Sequence, residues 1–283
     1  IYSALFLTFL VSGSSAQVAP SPVIAQVGTD VILPVRYTGD FFSLVWYREP
    51  RTSDSSYRIG LLDPNGNYFP GPQSTGREEI LPNRSLVLTN YTGNYTVTIL
   101  AASTVPAETT ELKVYKPISK PTISSNDSTP MEFNDTVTLT CFASGIDISY
   151  QWWRDNQPVS SSGRWFLCNN NQTLTISKIL RTDNGPYTCN SSNAISTNSS
   201  DKFFLNIRYG PELPKISISP NSTELSVGSA ILFSCVADSN PPATFTWFLN
   251  NMSLNENGQN LTITKIQQNN TGNYSCQAFN SDT

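Results

Sequence analysis

The chain contains no histidine, and only 13% of its 283 residues are charged. Without histidine there is no Ser–His–Asp or Cys–His arrangement and no histidine-based metal cluster. Glu78 and Glu79 are adjacent, so on a strand they face opposite sides, a poor geometry for a paired-carboxylate site. Neither an enzyme nor a cofactor is expected. Lys and Arg number 17 against 21 Asp and Glu, giving a net charge of −4 and a pI near 4.9. That balance offers no basis for nucleic-acid binding, and no Lys/Arg run supplies a polybasic membrane patch. The scarcity of charge also argues against a disordered polyelectrolyte. The apolar run at the N-terminus, Ala4–Val11, is too short to span a bilayer, which needs about 20 residues.

That run is followed by Ser14-Ser15-Ala16, small residues that fit signal-peptidase cleavage before Gln17. Residues 1–16 read as a secretory signal lacking its first residues; a frayed apolar N-terminus is the other reading. Asn-x-Ser/Thr signals occur at Asn83, Asn90, Asn94, Asn126, Asn134, Asn171, Asn190, Asn198, Asn221, Asn251, Asn260, Asn269 and Asn273. With 27 Asn and 66 Ser plus Thr, chance supplies about six of these, half the number present. Signal and sequons together place the chain outside the cell, as a glycoprotein.

Internal repeats organise the rest. Val137-x-Leu139-x-Cys141 and Ile231-x-Phe233-x-Cys235 are alternating strands, followed by Trp152 and Trp247. Each copy closes on Tyr-x-Cys after a glycine turn, at Tyr187-Thr-Cys189 and Tyr274-Ser-Cys276. Cys…Trp…Tyr-x-Cys on short strands is the immunoglobulin sandwich pattern, in which the disulfide ties two sheets and the Trp packs on it. The bridges expected are Cys141–Cys189 and Cys235–Cys276. A first copy lacks cysteines: Val31-x-Leu33-x-Val35, then Trp46, then Tyr95-x-Val97. Val35 and Val97 stand at the bridge positions. A bridge there would contribute on the order of 4 kcal/mol, and two buried valines ~1.5–3 kcal/mol each, so packing can replace it. Trp46 to Val97 is a longer interval than Trp152 to Cys189 or Trp247 to Cys276, leaving space for strands C′ and C″.

The expected architecture is all-β, with three tandem immunoglobulin-like sandwiches: variable-type at 17–116, and constant or intermediate types at 117–209 and 210–283. Prolines at Lys116-Pro117 and Gly210-Pro211 mark the boundaries, and the last sandwich stops before its final strand. Cys168 is left over beside a turn, Asn169-Asn170-Asn171. An intermolecular bridge, a capped thiol and a surface thiol without a role all remain open for it.

Further residues sharpen the assignment. They include Pro70-Gly71-Pro72, Gly76-Arg77-Glu78 and Pro82-Asn83-x-Ser85 in the first copy, and Lys120-Pro-x-Ile123-Ser-Ser-Asn126 and Tyr150-x-Trp152-Trp153 in the second. Tyr209-Gly210-Pro211, Ser239-Asn240-Pro241-Pro242 and Cys276-Gln277-Ala278-x-Asn280-Ser281 follow in the third. On these the chain resembles the carcinoembryonic-antigen-related cell-adhesion molecules over nearly all of residues 17–283. The resemblance implies partner recognition through the exposed C, C′, F and G strands of the first domain. Matching positions are Phe42, Tyr47, Tyr57, Thr98 and Leu100. Alternation from inward Trp46, Tyr95 and Val97 independently turns Tyr47, Thr98 and Leu100 outward, and no sequon falls within 41–62 or 97–115.

One spacing departs from the pattern. Leu174 and Leu261 precede their cysteines by fifteen residues, whereas Leu86 precedes Val97 by eleven. The E–F corner is four residues short, and the acid that commonly pairs with the strand-D arginine, Arg77 here, has no counterpart; Tyr91 stands nearby. Either the corner is rebuilt or the sequence carries a deletion. The function expected is adhesion or recognition at the cell surface, with protein partners: a second copy or a related ectodomain. Membrane attachment is expected through sequence beyond Thr283. An immune receptor signalling through a cytoplasmic tail, or a secreted decoy, are the alternatives.

Overall fold

A computed structural model describes residues 17–18, 22–37, 39–89, 92–102, 106–222 and 224–281. The signal segment 1–16, the sequon at Asn90 and Tyr91 lie outside the described residues. Two compact units are present, and each is built from β-strands.

The first unit comprises the described residues up to Lys120 together with Ala143–Ser149 and Ser191–Asn198. Its strands are β1 (Gln17–Val18), β2 (Val23–Gln26), β3 (Asp30–Leu33), β4 (Val35–Arg36), β5 (Ser43–Arg48) and β6 (Arg58–Leu62). They continue with β7 (Tyr68–Pro70), β8 (Glu78–Ile80), β9 (Leu86–Thr89), β10 (Gly93–Leu100) and β11 (Glu108–Tyr115). One sheet runs β2-β11-β10-β5-β6-β7, faced by β3-β9-β8, with β1 paired to β4. All neighbours are antiparallel except β11 and β2. This six-stranded order includes the two additional strands, β6 and β7, for which the long Trp46–Val97 interval leaves room. Alternation produces the core: Leu44 and Trp46 from β5 and Tyr95, Val97 and Ile99 from β10 meet Leu33, Leu86 and Leu88 from the facing sheet. Val35 and Val97 are both buried in that cluster. A Cβ at Gly60 would meet the Tyr68 ring of the neighbouring strand, so glycine lets that ring lie against the β6 backbone.

The second unit comprises Pro121–Phe142, Tyr150–Asn190 and the described residues from Ser199. The central sandwich holds β12 (Thr122–Ser125), β13 (Val137–Phe142), β14 (Ser149–Arg154), β15 (Gln157–Pro158), β16 (Trp165–Cys168), β17 (Thr173–Ile176), β18 (Tyr187–Ser192) and β19 (Thr197–Ser199). Its sheets are ordered β12-β13-β17-β16 and β15-β14-β18-β19. The third sandwich holds β20 (Lys215–Ser219), β21 (Ile231–Val236), β22 (Thr244–Leu249), β23 (Met252–Asn257), β24 (Asn260–Ile263) and β25 (Tyr274–Phe279), ordered β20-β21-β24 and β23-β22-β25. Cys141 is bridged to Cys189 and Cys235 to Cys276, and Trp152 and Trp247 are fully buried in the two cores. Cys168 is unbridged and exposed, followed by three left-handed asparagines, Asn169 to Asn171.

The three tryptophans share more than spacing. Each indole N–H donates to a backbone carbonyl two residues before the following strand: Trp46 to Arg84 (3.3 Å), Trp152 to Asn171 (2.8 Å), Trp247 to Gly258 (3.0 Å). Arg84, Asn171 and Gly258 all have positive φ, at 75°, 63° and 120°. A left-handed residue turns its carbonyl into the core, where it meets the polar atom of an otherwise apolar ring.

The E–F connections differ. In the second and third sandwiches a 3-10 turn precedes strand F, and a tyrosine hydroxyl reaches back to it: Tyr187 to the Asp183 carbonyl (2.6 Å) and Tyr274 to that of Asn270 (2.8 Å). In the first, only residues 90–92 separate β9 from β10. In this sandwich an ion pair links β5 to β8: Arg48 Nη2 lies 3.0 Å from Oε1 of the fully buried Glu78, whose carboxylate also accepts from the Thr75 backbone N–H at 2.8 Å.

Candidate partner-binding face

The outer face of the six-stranded sheet is laid out by its register. Val45 on β5 stands opposite Thr98 of β10 on one side and Leu61 of β6 on the other. Leu61 in turn faces Phe69 on β7. Phe69, Leu61, Val45 and Thr98 therefore form one row across four strands, about 14 Å long at the ordinary strand spacing. A second row runs Arg58, Tyr47, Thr96, Thr109. In it the Thr96 and Thr109 hydroxyls are hydrogen-bonded at 2.9 Å. A bulge between Trp46 and Tyr47 shifts the β5–β6 register and brings Tyr47 opposite Arg58.

At the far end of the face Leu100 pairs with Ser43, and the Phe42 N–H donates to the Leu100 carbonyl at 2.7 Å. Phe42 and Leu100 are 63% and 62% exposed, and Phe69 is 51% exposed. Phe42 shares parity with Leu44 and Trp46, which point inward, but it precedes the strand and escapes the alternation. Tyr47 and Thr98 are half-buried among their neighbours. Tyr57 sits at the opposite end from Phe42, on a 3-10 turn whose N-cap, Asp54, accepts from the Ser56 N–H at 2.9 Å. Those hydrogen bonds from Ser56 hold the Asp54 carboxyl below its usual range. The Tyr57 hydroxyl accepts from Arg51 at 2.9 Å, and the same guanidinium lies 5.1 Å over its ring.

Thus Tyr47, Thr98 and Leu100 share one face, Phe42 adjoins Leu100, and Tyr57 is engaged by Arg51 at the other end. Val45, Leu61 and Phe69 belong to this face and were not among the residues picked out from sequence. Alternation from Trp46 identifies Val45; Leu61 and Phe69 depend on which residues of β6 and of the three-residue β7 pair with β5, a cross-strand register that has no sequence signature.

The sequons are distributed unevenly. Asn83, Asn126, Asn134, Asn171, Asn221, Asn251, Asn260, Asn269 and Asn273 are exposed. Asn94, Asn190 and Asn198 are half-buried. Asn94 lies on β10 opposite Glu111, at the Tyr47 end of the face. Asn198 Nδ2 donates to the Ile118 carbonyl at 3.0 Å.

Residues 120–193 and 214–280 match the immunoglobulin domain family. The fold is three tandem immunoglobulin-like sandwiches. Among solved structures, murine CEACAM1b is similar at 27% identity and a TM-score of 0.56, over 68% of this chain and 98% of that one. A chain in the crystal structure of a mouse coronavirus receptor-binding domain complexed with its murine receptor is similar at 28% identity and a TM-score of 0.55, over 68% and 99%. The full three-domain ectodomain of mouse nectin-like molecule 4 matches at 17% identity and a TM-score of 0.57, over 92% and 93%, which speaks to fold alone. The chain resembles the ectodomains of adhesion and receptor immunoglobulin proteins, and its disulfide-bonded domains fit an extracellular protein.

Proposed function

We propose that this chain is a cell-surface adhesion or recognition glycoprotein that docks on another protein through the C–C′–F–G face of its first sandwich. The observation that carries this reading is the cross-strand row Phe69–Leu61–Val45–Thr98, flanked by exposed Leu100 and Phe42. A contiguous apolar band bordered by Tyr47 and Arg58 has the composition of an interface centre with a polar rim. The partner is a second copy of the chain or a related immunoglobulin ectodomain. A murine receptor in a complex with a protein domain, in one of the similar structures, supports a protein as the occupant. An area of ~800 Å² per partner suits such a face, with many weak contacts summed between surfaces.

The sandwich boundaries we adopt are 17–116, 117–209 and 210–283, preceded by a secretory signal at 1–16. The exposed sequons carry glycans, and the protein acts at the plasma membrane. Sedimentation equilibrium of the glycosylated ectodomain tests the homophilic form. Tyr47→Ala and Leu100→Asp should each weaken self-association about tenfold or more while leaving thermal unfolding unchanged. Wild type and both variants sedimenting alike as monomers at high concentration would remove it.

A further inference from the structure

Within the second unit, one cation gathers three carboxylates from separate segments. Arg181 sits on the 3-10 turn Arg181–Asp183 between β17 and β18. Its backbone N–H and Nε donate to Glu132 at 2.9 and 2.8 Å, and Nη2 contacts the same carboxylate at 2.6 Å. Nη2 also reaches Glu212 at 2.6 Å, Nη1 reaches Asp238 at 3.1 Å, and the guanidinium lies 4.0 Å over the Tyr209 ring. Tyr209 to Glu212 is the segment leading into the third sandwich. Backbone bonds fasten it to the loop around Asp238: Tyr209 N–H to Asn240 O (2.9 Å), Asn240 N–H to Tyr209 O (3.0 Å) and Glu212 N–H to Asp238 O (2.9 Å). Gly210 between them has φ +71°, and a side chain there would strike the Asp238 carbonyl.

The three acids differ in exposure. The Glu132 side chain is 5% exposed, whereas those of Glu212 and Asp238 are 54% and 65% exposed. The inner pair is shielded from salt, and the outer two are open to it. We propose that Arg181 is a salt-sensitive catch: Glu132 anchors its stem permanently, while Glu212 and Asp238 fasten the joint at low ionic strength and release it at high. The stiffness between the second and third sandwiches then depends on the medium, independently of any docking by the first.

Arg181→Ala strips the buried Glu132 of its cation and risks unfolding the sandwich, so the test uses Glu212→Gln/Asp238→Asn, which leaves the inner pair intact. Residue-resolved hydrogen exchange is measured on the full chain at 0.1 and 1 M NaCl. In the variant, the amides of Tyr209, Glu212 and Asn240 should exchange about fivefold faster than wild type at low salt, with β18 amides unchanged. High salt should accelerate the same three amides in wild type and have no further effect in the variant. Wild-type rates in the variant, an undiminished salt response in it, or equal acceleration of β18 would each overturn the proposal.

Discussion

At the scale of single residues, the arrangement most exposed to mutation is Arg48–Glu78. Arg48 shares parity with Trp46, so the alternation that buries the indole also turns a guanidinium inward to three-quarters burial, where an acid partner stabilises it. Glu78 supplies it with a side chain that is 0% exposed. Removing the acid takes a charged hydrogen-bond partner from a guanidinium that is only one quarter exposed, while removing the base leaves a fully buried carboxylate held, among the described residues, by Thr75 alone. Glu78→Gln is expected to cost about 1.5–3 kcal/mol in urea unfolding of the first sandwich, and Arg48→Met/Glu78→Leu to recover most of it. The adjacent glutamates were legible as facing opposite ways, and Glu79 is exposed; that Glu78 would be the partner of Arg48 required knowing which strands adjoin. Glu132 offers a pH test. Burial works against its ionisation, but hydrogen bonds from Arg181 outweigh it and hold its carboxyl below the usual range. A depressed folded value means its contribution is complete above the unfolded carboxyl value of about 4.3 and fades as pH falls through the folded one. Acid titration of wild type and Glu132→Gln should therefore show a shallower loss of stability in the variant below about pH 4.

At the scale of elements, the three Trp-to-carbonyl bonds explain why each copy carries a left-handed residue two positions before the strand that follows. Spacing of Cys, Trp and Tyr made the cores legible, because each such residue meets the same neighbours in every copy. The left-handed residues were not legible, since arginine, asparagine and glycine fill the same role. The tyrosine corner makes an equally local prediction. Tyr187→Phe leaves the Asp183 carbonyl without that bond in a buried corner and should cost about 1–3 kcal/mol in denaturant unfolding of the second sandwich. Tyr274→Phe should cost less, because Tyr274 is only half-buried. In the candidate face, residues on long regular strands were readable and those on irregular ones were not. Tyr47, Thr98 and Leu100 follow from parity, whereas Leu61 and Phe69 depend on the register of β6 against β5 and on a short edge strand.

At the scale of the whole molecule, three sandwiches repeat one packing solution, and the proposed docking face belongs to the first. That face combines an apolar row with strand segments, 41–62 and 97–115, that contain no sequon. Under the proposed docking, adhesion relies on multiplicity, so a modest loss of pairwise affinity should appear as a large loss of surface attachment. The most direct measurement is aggregation of beads coated with the glycosylated ectodomain. Leu61→Asp, at the centre of the row, is compared with Glu79→Lys, an exposed charge reversal on the opposite sheet. Wild type and Glu79→Lys should aggregate alike and Leu61→Asp at least about tenfold less; folded Leu61→Asp aggregating as wild type does would contradict docking through this face.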